Sequence, residues 1–408
     1  MKSMGSFAVE SIRDKVAIIG MGCTRFGERW DAGVEDLLVE AAYEAFEDAG
    51  VAPKDVQAAW LGTVFSGMSA MTLSPLGLQF IPMTRVENMC ATGSEALRGA
   101  AYAVAAGVCD MALAIGVEKL KDSGLTGVRG PAVVGDNPDG SACIGSGYSA
   151  PASFAYLGTR YFHQYRIDRD EGKELLAKIA VKNHQHGSLN PKAHFQNVIT
   201  VEQAVKAPIV AWPLGLFDCC GVSDGAAAAI VVRAAMAKNF RSDPIYIKGM
   251  AISAGARQGS MRSGYDYVHI DENVFAGQQA YAQAGVKNPR KEISCAEVHD
   301  CFSINELITY EDLGFSRRGG AKEDIHAGAF TLQGDLPINT DGGLKCFGHP
   351  LGASGLRMLY EMYKQLQGKA GPRQVKNPRL ALTHNLGGNA GAGIGCVVIV
   401  GNELNKKP

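Results

Sequence analysis

The sequence contains no C-x-x-C pair, no apolar run approaching the ~18 residues of a membrane span, and no excess of charge of either sign. Lysine and arginine number 40 against 41 acidic residues, a formal charge of −1. Nothing electrostatic therefore favours nucleic acid or an anionic membrane as partner. The opening MKSMGSFAVESIRDK lacks the apolar centre of a signal peptide, and the ten cysteines lack the regular spacing of a disulfide framework. Both point to a cytoplasmic protein with reduced thiols. The expected ligand is a small molecule.

What is present is an ordinary globular composition, 46% apolar and 20% charged, over 408 residues, enough for two cores. The 50 glycines gather beside apolar stretches, as in NLGGNAGAGIG, which suggests tight functional loops rather than linkers. KVAIIGMG (15–22) reads as a buried strand and VEDLLVEAAYEAFEDAGV (34–51) as a helix stopped by glycine. VQAAWLGTVF (56–65) reads as a strand, followed by an alanine-rich helix and then MALAIGVEK (111–119) as another strand. That β-α-β-α-β order implies an α/β protein with a parallel or mixed sheet covered by helices.

The order then returns. PIYIKGMAI (244–252), NVFAGQQAYAQAGV (273–286), ISCAEVHD (293–300), a helix from about Gly352, and LALTHNLGG (380–388) repeat it. In both halves a helix ends in Ala-Gly-Val, which an internal duplication explains. The expected division is residues 1–119 with 218–243 as one half and 244–408 as the other. Residues 120–217, richer in Gly, His, Asn and Pro, read as an inserted loop region covering a site.

In VENMCATGSEALRGAA (86–101), Cys90 stands at a helix start, where free N–H groups and the helix dipole favour a thiolate nucleophile. A buried structural cysteine is the competing reading. VHDCFS (298–303) and CFGHPLGASG (346–355) place His299 at a strand end and His349 at a helix start, junctions where α/β proteins gather their sites. One cysteine with two such histidines fits a nucleophile and its base.

Four blocks carry a resemblance to the thiolases: VENMCATGSEAL, GLFDCCGVSDGAAAAIVV (215–232), GGLKCFGHPLGASG (342–355) and HNLGGNAGAG (384–393). They occur in the family's order and span nearly the whole chain. His299-Asp300-Cys301-Phe302 stands where familiar thiolases have N-E-A-F, and Asn385 where they have a second cysteine. With KNHQHGSLNP (182–191), this is similar to sterol-carrier-protein-X thiolases and their bacterial and archaeal relatives.

The resemblance implies a duplicated thiolase fold, two β-α-β-α-β halves in a five-layered α-β-α-β-α core. It makes Cys90 the acyl-accepting nucleophile and His349 its base, with His299 and His349 binding the thioester oxygen of the second acyl-CoA. Backbone N–H groups of Cys90 and Gly387 would form the other oxyanion hole, and Cys301 would move the α-proton. The implied activity is cleavage of a 3-oxoacyl-CoA by CoA, or the reverse Claisen condensation. A thiolase-fold acyltransferase or aldolase, or a non-catalytic acyl-CoA-binding scaffold subunit, is the alternative. CoA and acyl-CoA are substrates, and no metal or bound cofactor is expected. A homodimer or dimer of dimers, and a small zinc-ribbon/OB-fold partner, are the implied assemblies.

Other motifs carry less. IIGMGCTRFG has glycines at 20, 22 and 27, the wrong spacing for a dinucleotide loop. GVSDG (221–225) matches G-x-S-x-G but precedes an apolar run, so Ser223 reads as structural. His184 and His186 lack partners at ligand spacing and read as a solvated helix end. Cys219 and Cys220 read as packing residues, and Cys346 as a residue able to line the pocket. Acyl specificity would depend on 120–217 and on residues near 66–77.

Overall fold

The computed structural model describes residues 11–67, 73–123, 149–258 and 264–404. Part of the stretch 66–77 and much of 120–149 lie outside the described residues. Nine strands form one sheet: β1 (Val16–Cys23), β2 (Ala58–Gly62), β3 (Met83–Val86), β4 (Met111–Glu118), β7 (Gly225–Arg233), β8 (Ile245–Ala254), β9 (Cys295–Glu297), β10 (Leu380–Gly387) and β11 (Ile394–Gly401). A separate hairpin holds β5 (Ile209–Ala211) and β6 (Leu214–Gly215). The longer helices are α1 (Val34–Ala49), α2 (Thr92–Ala105), α3 (Ala150–Gln164), α4 (Arg169–Gly187), α5 (Asp271–Ala284), α6 (Ser303–Asp312) and α7 (Leu351–Leu366).

The duplication is visible in the sheet order, which runs β2-β4-β7-β1 in one half and β9-β10-β11-β8 in the other. In each half the first pair is parallel and the next two are antiparallel. β3 is an extra edge strand on the first half. The halves meet where Ala17 and Ile18 pair with Tyr246 and Ile245. α1 packs on the outside of one half-sheet and α5 on the outside of the other, with α2 and α7 between them, giving five layers.

Residue chemistry explains the repeat. A Cβ on Gly20 would stand 2.4 Å from the Ala45 carbonyl of α1, and one on Gly249 would stand 2.4 Å from the Ala280 carbonyl of α5. The glycines at 20 and 22 thus serve close helix–strand packing. The matching Ala-Gly-Val tripeptides are helix stops: Gly50 and Gly285 sit at φ 69° and 74°, left-handed conformations that glycine adopts without a Cβ clash.

Three expectations are corrected. The region 120–217 includes α3 and α4 rather than loop alone. Phe154, Leu157, Tyr161, Leu176 and Ile179 join Ile304, Leu307 and Ile308 of α6 in one core. α4 has a legible start, since the Asp168 carboxylate caps the N–H groups of Asp170 and Glu171. The strand read over 293–300 is shorter, because the chain leaves the sheet after Glu297 and Val298 N–H turns to the Asn339 side chain. His184 and His186 are buried, not solvated: His184 Nδ1 meets the Asn197 carbonyl and His186 Nδ1 the Asn339 carbonyl, both at 2.9 Å.

Candidate active site

Cys90 stands on a sharp turn between β3 and α2. Met89 takes a positive φ of 48°, and Ala91 N–H closes the turn on the Asn88 carbonyl at 3.0 Å. Thr92 fixes it from inside the helix: its hydroxyl donates to the Met89 carbonyl at 2.6 Å and accepts from Asn88 N–H at 2.8 Å. Cys90 is therefore held by backbone geometry.

His349 arrives by a close approach of two helices. A Cβ on Gly93 would lie 2.9 Å from the Gly352 carbonyl, and one on Gly355 2.4 Å from Ser94 Oγ. Only small residues let α2 and α7 meet this near their N-termini, and that contact sets Cys90 beside His349. His299 is brought in by Asp300. Its carboxylate accepts from Leu344 N–H at 2.5 Å, Lys345 N–H at 3.2 Å and Asn183 Nδ2 at 2.8 Å, while Lys345 Nζ donates to the Asp300 carbonyl at 2.9 Å. This buried pair clamps the H-D-C-F turn onto the G-G-L-K turn that leads to His349.

The result is a compact cluster. Cys90 Sγ and one ring nitrogen from each of His299 and His349 all lie within 4.8 Å of one another. The two rings are edge to face, with centroids 5.2 Å apart. His349 Nδ1 meets Ser354 Oγ at 2.8 Å, and that hydroxyl donates its proton to the Pro350 carbonyl at 2.9 Å. Ser354 must then accept from His349 Nδ1–H, which leaves Nε2 unprotonated. Among the described residues Nε2 is buried without a hydrogen-bond partner, its lone pair free to accept a proton.

Electrostatics correct one expectation. Burial outweighs the helix dipole and pushes the Cys90 thiol up to about 12, although the Gly388 N–H and the cysteine's own N–H pull it down. Burial likewise holds His349 down near 3, helped by the Arg357 charge, and keeps His299 well below its ordinary value. The resting pair is a neutral thiol and a neutral imidazole, not a thiolate ion pair. Proton transfer must accompany attack.

The remaining candidates fall nearby. Gly387 packs under the nucleophile turn, where a Cβ would stand 2.2 Å from the Asn88 carbonyl, and the N–H that bonds the thiol is that of Gly388. Cys301 is buried in the H-D-C-F turn, its carbonyl accepting from Cys220 N–H at 2.9 Å, and burial pushes its thiol well up rather than toward neutrality. Asn385 is buried and engaged with Ser94 Oγ at 2.7 Å. Cys346 packs its side chain against Gly187 of α4. Ser223 pairs with His194 Nδ1 at 2.9 Å and abuts Gly348, a structural role.

Sequence reasoning missed Ser354, Lys345, Asp300 as a clamp, and Glu118. The Glu118 carboxylate accepts from the Thr63 hydroxyl, from the N–H groups of Val64, Phe65 and Ser66, and from Gly352 N–H, all at 2.8–3.0 Å. An isolated acid at the end of an apolar strand was the available signal.

Comparison with known proteins follows the same lines. The family description "Thiolase, N-terminal domain" matches residues 16–235 and "Thiolase C-terminal domain-like" matches 255–400. An acetyl-CoA acetyltransferase of Methanothermobacter thermautotrophicus is 39% identical over 92% of this chain and 97% of its own length. Human sterol carrier protein 2 is 34% identical over 91% of this chain and 70% of that protein. Among solved structures, the Ltp2-ChsH2(DUF35) aldolase superposes with a TM-score of 0.82 at 29% identity, over 96% of this chain and 98% of the matched one. Human mitochondrial 3-ketoacyl-CoA thiolase has a TM-score of 0.67 at 19% identity, over 96% and 99% of the two chains, a likeness of fold.

Proposed function

Because this chain belongs to the thiolase family and is an acyltransferase-type enzyme, we propose that it cleaves a 3-oxoacyl-CoA with CoA, or runs the reverse condensation, through an acyl-Cys90 intermediate. The observation that carries this reading is the buried, partnerless His349 Nε2 in the same 4.8 Å cluster as Cys90 Sγ. In the acylation half, Cys90 Sγ attacks the thioester carbonyl as its proton passes to His349 Nε2. The carbonyl oxygen gains charge beside the Cys90 amide and the 387–388 segment, and the proton leaves on the departing thiol. In the second half, an enolate formed from acyl-CoA, its oxygen held by His299 and His349, attacks the acyl-enzyme carbonyl; the C–C bond forms as the C–S bond to Cys90 breaks, and the Cys90 thiolate takes up the proton that left the α-carbon. Cys301 moves the α-proton.

His349 Nε2, bare while Ser354 holds Nδ1–H, takes the thiol proton in the first half; in the second it can donate to the enolate oxygen only while Nε2 carries a proton, and a neutral His299 is the donor otherwise. Thiolysis is this sequence reversed.

The second reading is an aldolase, favoured by the 0.82 superposition on the Ltp2-ChsH2(DUF35) aldolase. That similarity also suggests a small partner protein of the DUF35 kind. We place self-association at the β3 edge, where Met83, Thr84 and Arg85 are exposed next to a fully exposed Phe80. Acyl-CoA and CoA are the substrates. No helix among the described residues is long and apolar enough to cross a membrane.

One experiment separates the two reactions: parallel incubation with a 3-oxoacyl-CoA and with a 3-hydroxyacyl-CoA, each with and without CoA, followed by mass analysis of products and protein. Two thioester products that require CoA, with an acyl adduct on the parent and none on Cys90→Ala, are expected. Release of a free aldehyde or ketone from the 3-hydroxyacyl-CoA without CoA, with no CoA-dependent cleavage of the 3-oxoacyl-CoA, would replace the thiolase reading with the aldolase one.

A further inference from the structure

Three soft donor atoms converge at the nucleophile, and their chemistry extends beyond acyl transfer. His349 commits Nδ1 to Ser354, so Nε2 is the nitrogen it presents, buried and without a partner. His299 contributes a second ring nitrogen and Cys90 its sulfur, all three within 4.8 Å of one another. We infer that this cluster is also a transition-metal site, which captures one zinc-class dication through Cys90, His299 and His349 and thereby silences the nucleophile.

The donor set decides the class of ion. Thiolate and imidazole select Zn²⁺ or Co²⁺, whereas Mg²⁺ and Ca²⁺ require oxygen ligands. On a tetrahedral ion, with bonds of about 2.3 Å to sulfur and about 2.0–2.1 Å to nitrogen, the donors stand roughly 3.3–3.6 Å apart. Donors that all lie within 4.8 Å of one another need to close by no more than about 1.5 Å to reach that geometry. Three protein ligands leave the fourth position to water.

Binding breaks the Cys90 S–H bond, forms a sulfur–metal bond and releases the proton to solvent, with no change of oxidation state. Both imidazoles bind as neutral rings, the form in which burial keeps them. The carboxylates of Glu118 and Glu87, whose fields reach the thiol, offset the added positive charge. Ser354 is the outer partner that fixes the His349 tautomer and so aims Nε2.

The metal site itself rests on donor geometry and not on the reaction proposed above; only the silencing of Cys90 rests on that reading. Reduced, chelator-stripped protein titrated anaerobically with Co²⁺ should bind one equivalent, with a sulfur-to-cobalt charge-transfer band that Zn²⁺ discharges. Cys90→Ser should lose the band. Ser354→Ala should keep it but bind about 10–100-fold more weakly, with near-ultraviolet circular dichroism verifying both folds. A band undiminished in Cys90→Ser, no stoichiometric band in the folded parent, or parental affinity in Ser354→Ala overturns the proposal. Acyl-enzyme formation, read by mass in the metal-free protein, is unaffected by any of these results.

Discussion

The Glu118 carboxylate accepts a hydrogen bond from Gly352 N–H at 3.0 Å, linking the end of β4 to the first turn of the helix that follows His349. The same carboxylate gathers the N–H groups of Val64, Phe65 and Ser66, so one buried charge fixes three segments around the nucleophile. Removing it strands those donors at about 1–3 kcal/mol for each one left buried and unpaired, and Glu118→Ala should unfold readily.

Glu118→Gln keeps the shape and one carbonyl acceptor but loses the charge. After burial and hydrogen bonding, the Glu118 charge is what most affects the Cys90 thiol, and it raises its pKa. The variant should therefore be alkylated faster by iodoacetamide at pH 8 while forming acyl-enzyme more slowly, because His349 is less firmly placed. Both rates moving together would show that Glu118 does not position the base.

A pH effect belongs to His186. It is buried, donates Nδ1–H to the Asn339 carbonyl and accepts from Leu332 N–H at Nε2, so a second ring proton has nowhere to go. Burial first, and the Lys182 charge next, lower its pKa to about 3. A histidine whose folded value lies below the unfolded ~6.5 stabilises the protein above that pH and loses this contribution as pH falls toward 3. Thermal stability should drop between about pH 6.5 and 4, by up to about 1.4 kcal/mol per pH unit from this group. The drop should be shallower in His186→Gln; parallel curves for the two proteins would remove His186 as the cause.

Self-association is tested at the β3 edge. Met83→Lys with Phe80→Lys places charge on an exposed strand that pairs only with β2 among the described residues. Light scattering should show a shift toward monomer with the fold retained. An unchanged mass would move the interface elsewhere.

Much of this was legible in the residues. Glycine-stopped helices and largely apolar strands announced β1, α1, β4, β8 and β10, because burial on both faces leaves few polar residues in a strand. β3 was not legible: four residues with an exposed pattern at a sheet edge carry no burial signal. α3 and most of α4 fell in a stretch that its Gly, His, Asn and Pro content marks as loop, whereas Gly158 and Gly172 there make room for Pro213 and Phe162 in close packing. Cys90 and both histidines were singled out from their junctions, and the structure brings them into one cluster. Their protonation was misjudged, since burial depends on neighbours such as α4 and α7 that local sequence does not display. Glu118 acts through a backbone partner 234 residues away that its strand-end position does not identify, and Ser354 matters because its hydroxyl, spent on the Pro350 carbonyl, sets the His349 tautomer.

The α-proton poses the sharpest question. Cys301 is buried and held as a thiol by its surroundings, with Cys220 and Cys90 raising its pKa further and the Lys345 ammonium, buried beside the same turn, lowering it. At rest it is an acid, so it can reprotonate an enolate at once but must lose its proton before it can act as base. Asn385, bound to Ser94, offers no titratable alternative. Cys301→Ala should still accept an acyl group on Cys90 and release CoA in one burst, yet lose turnover and the exchange of acetyl-CoA α-protons with deuterated water. General acid–base catalysis is worth about 10²–10⁴-fold, which sets the expected loss. Lys345→Met should slow the same exchange without blocking acylation, because it removes a cation that favours the thiolate. If Cys301→Ala exchanges α-protons near the parent rate, Cys301 is not the shuttle. The next candidate is then Cys220, whose pKa Cys90 also raises, rather than Cys346, which packs against Gly187.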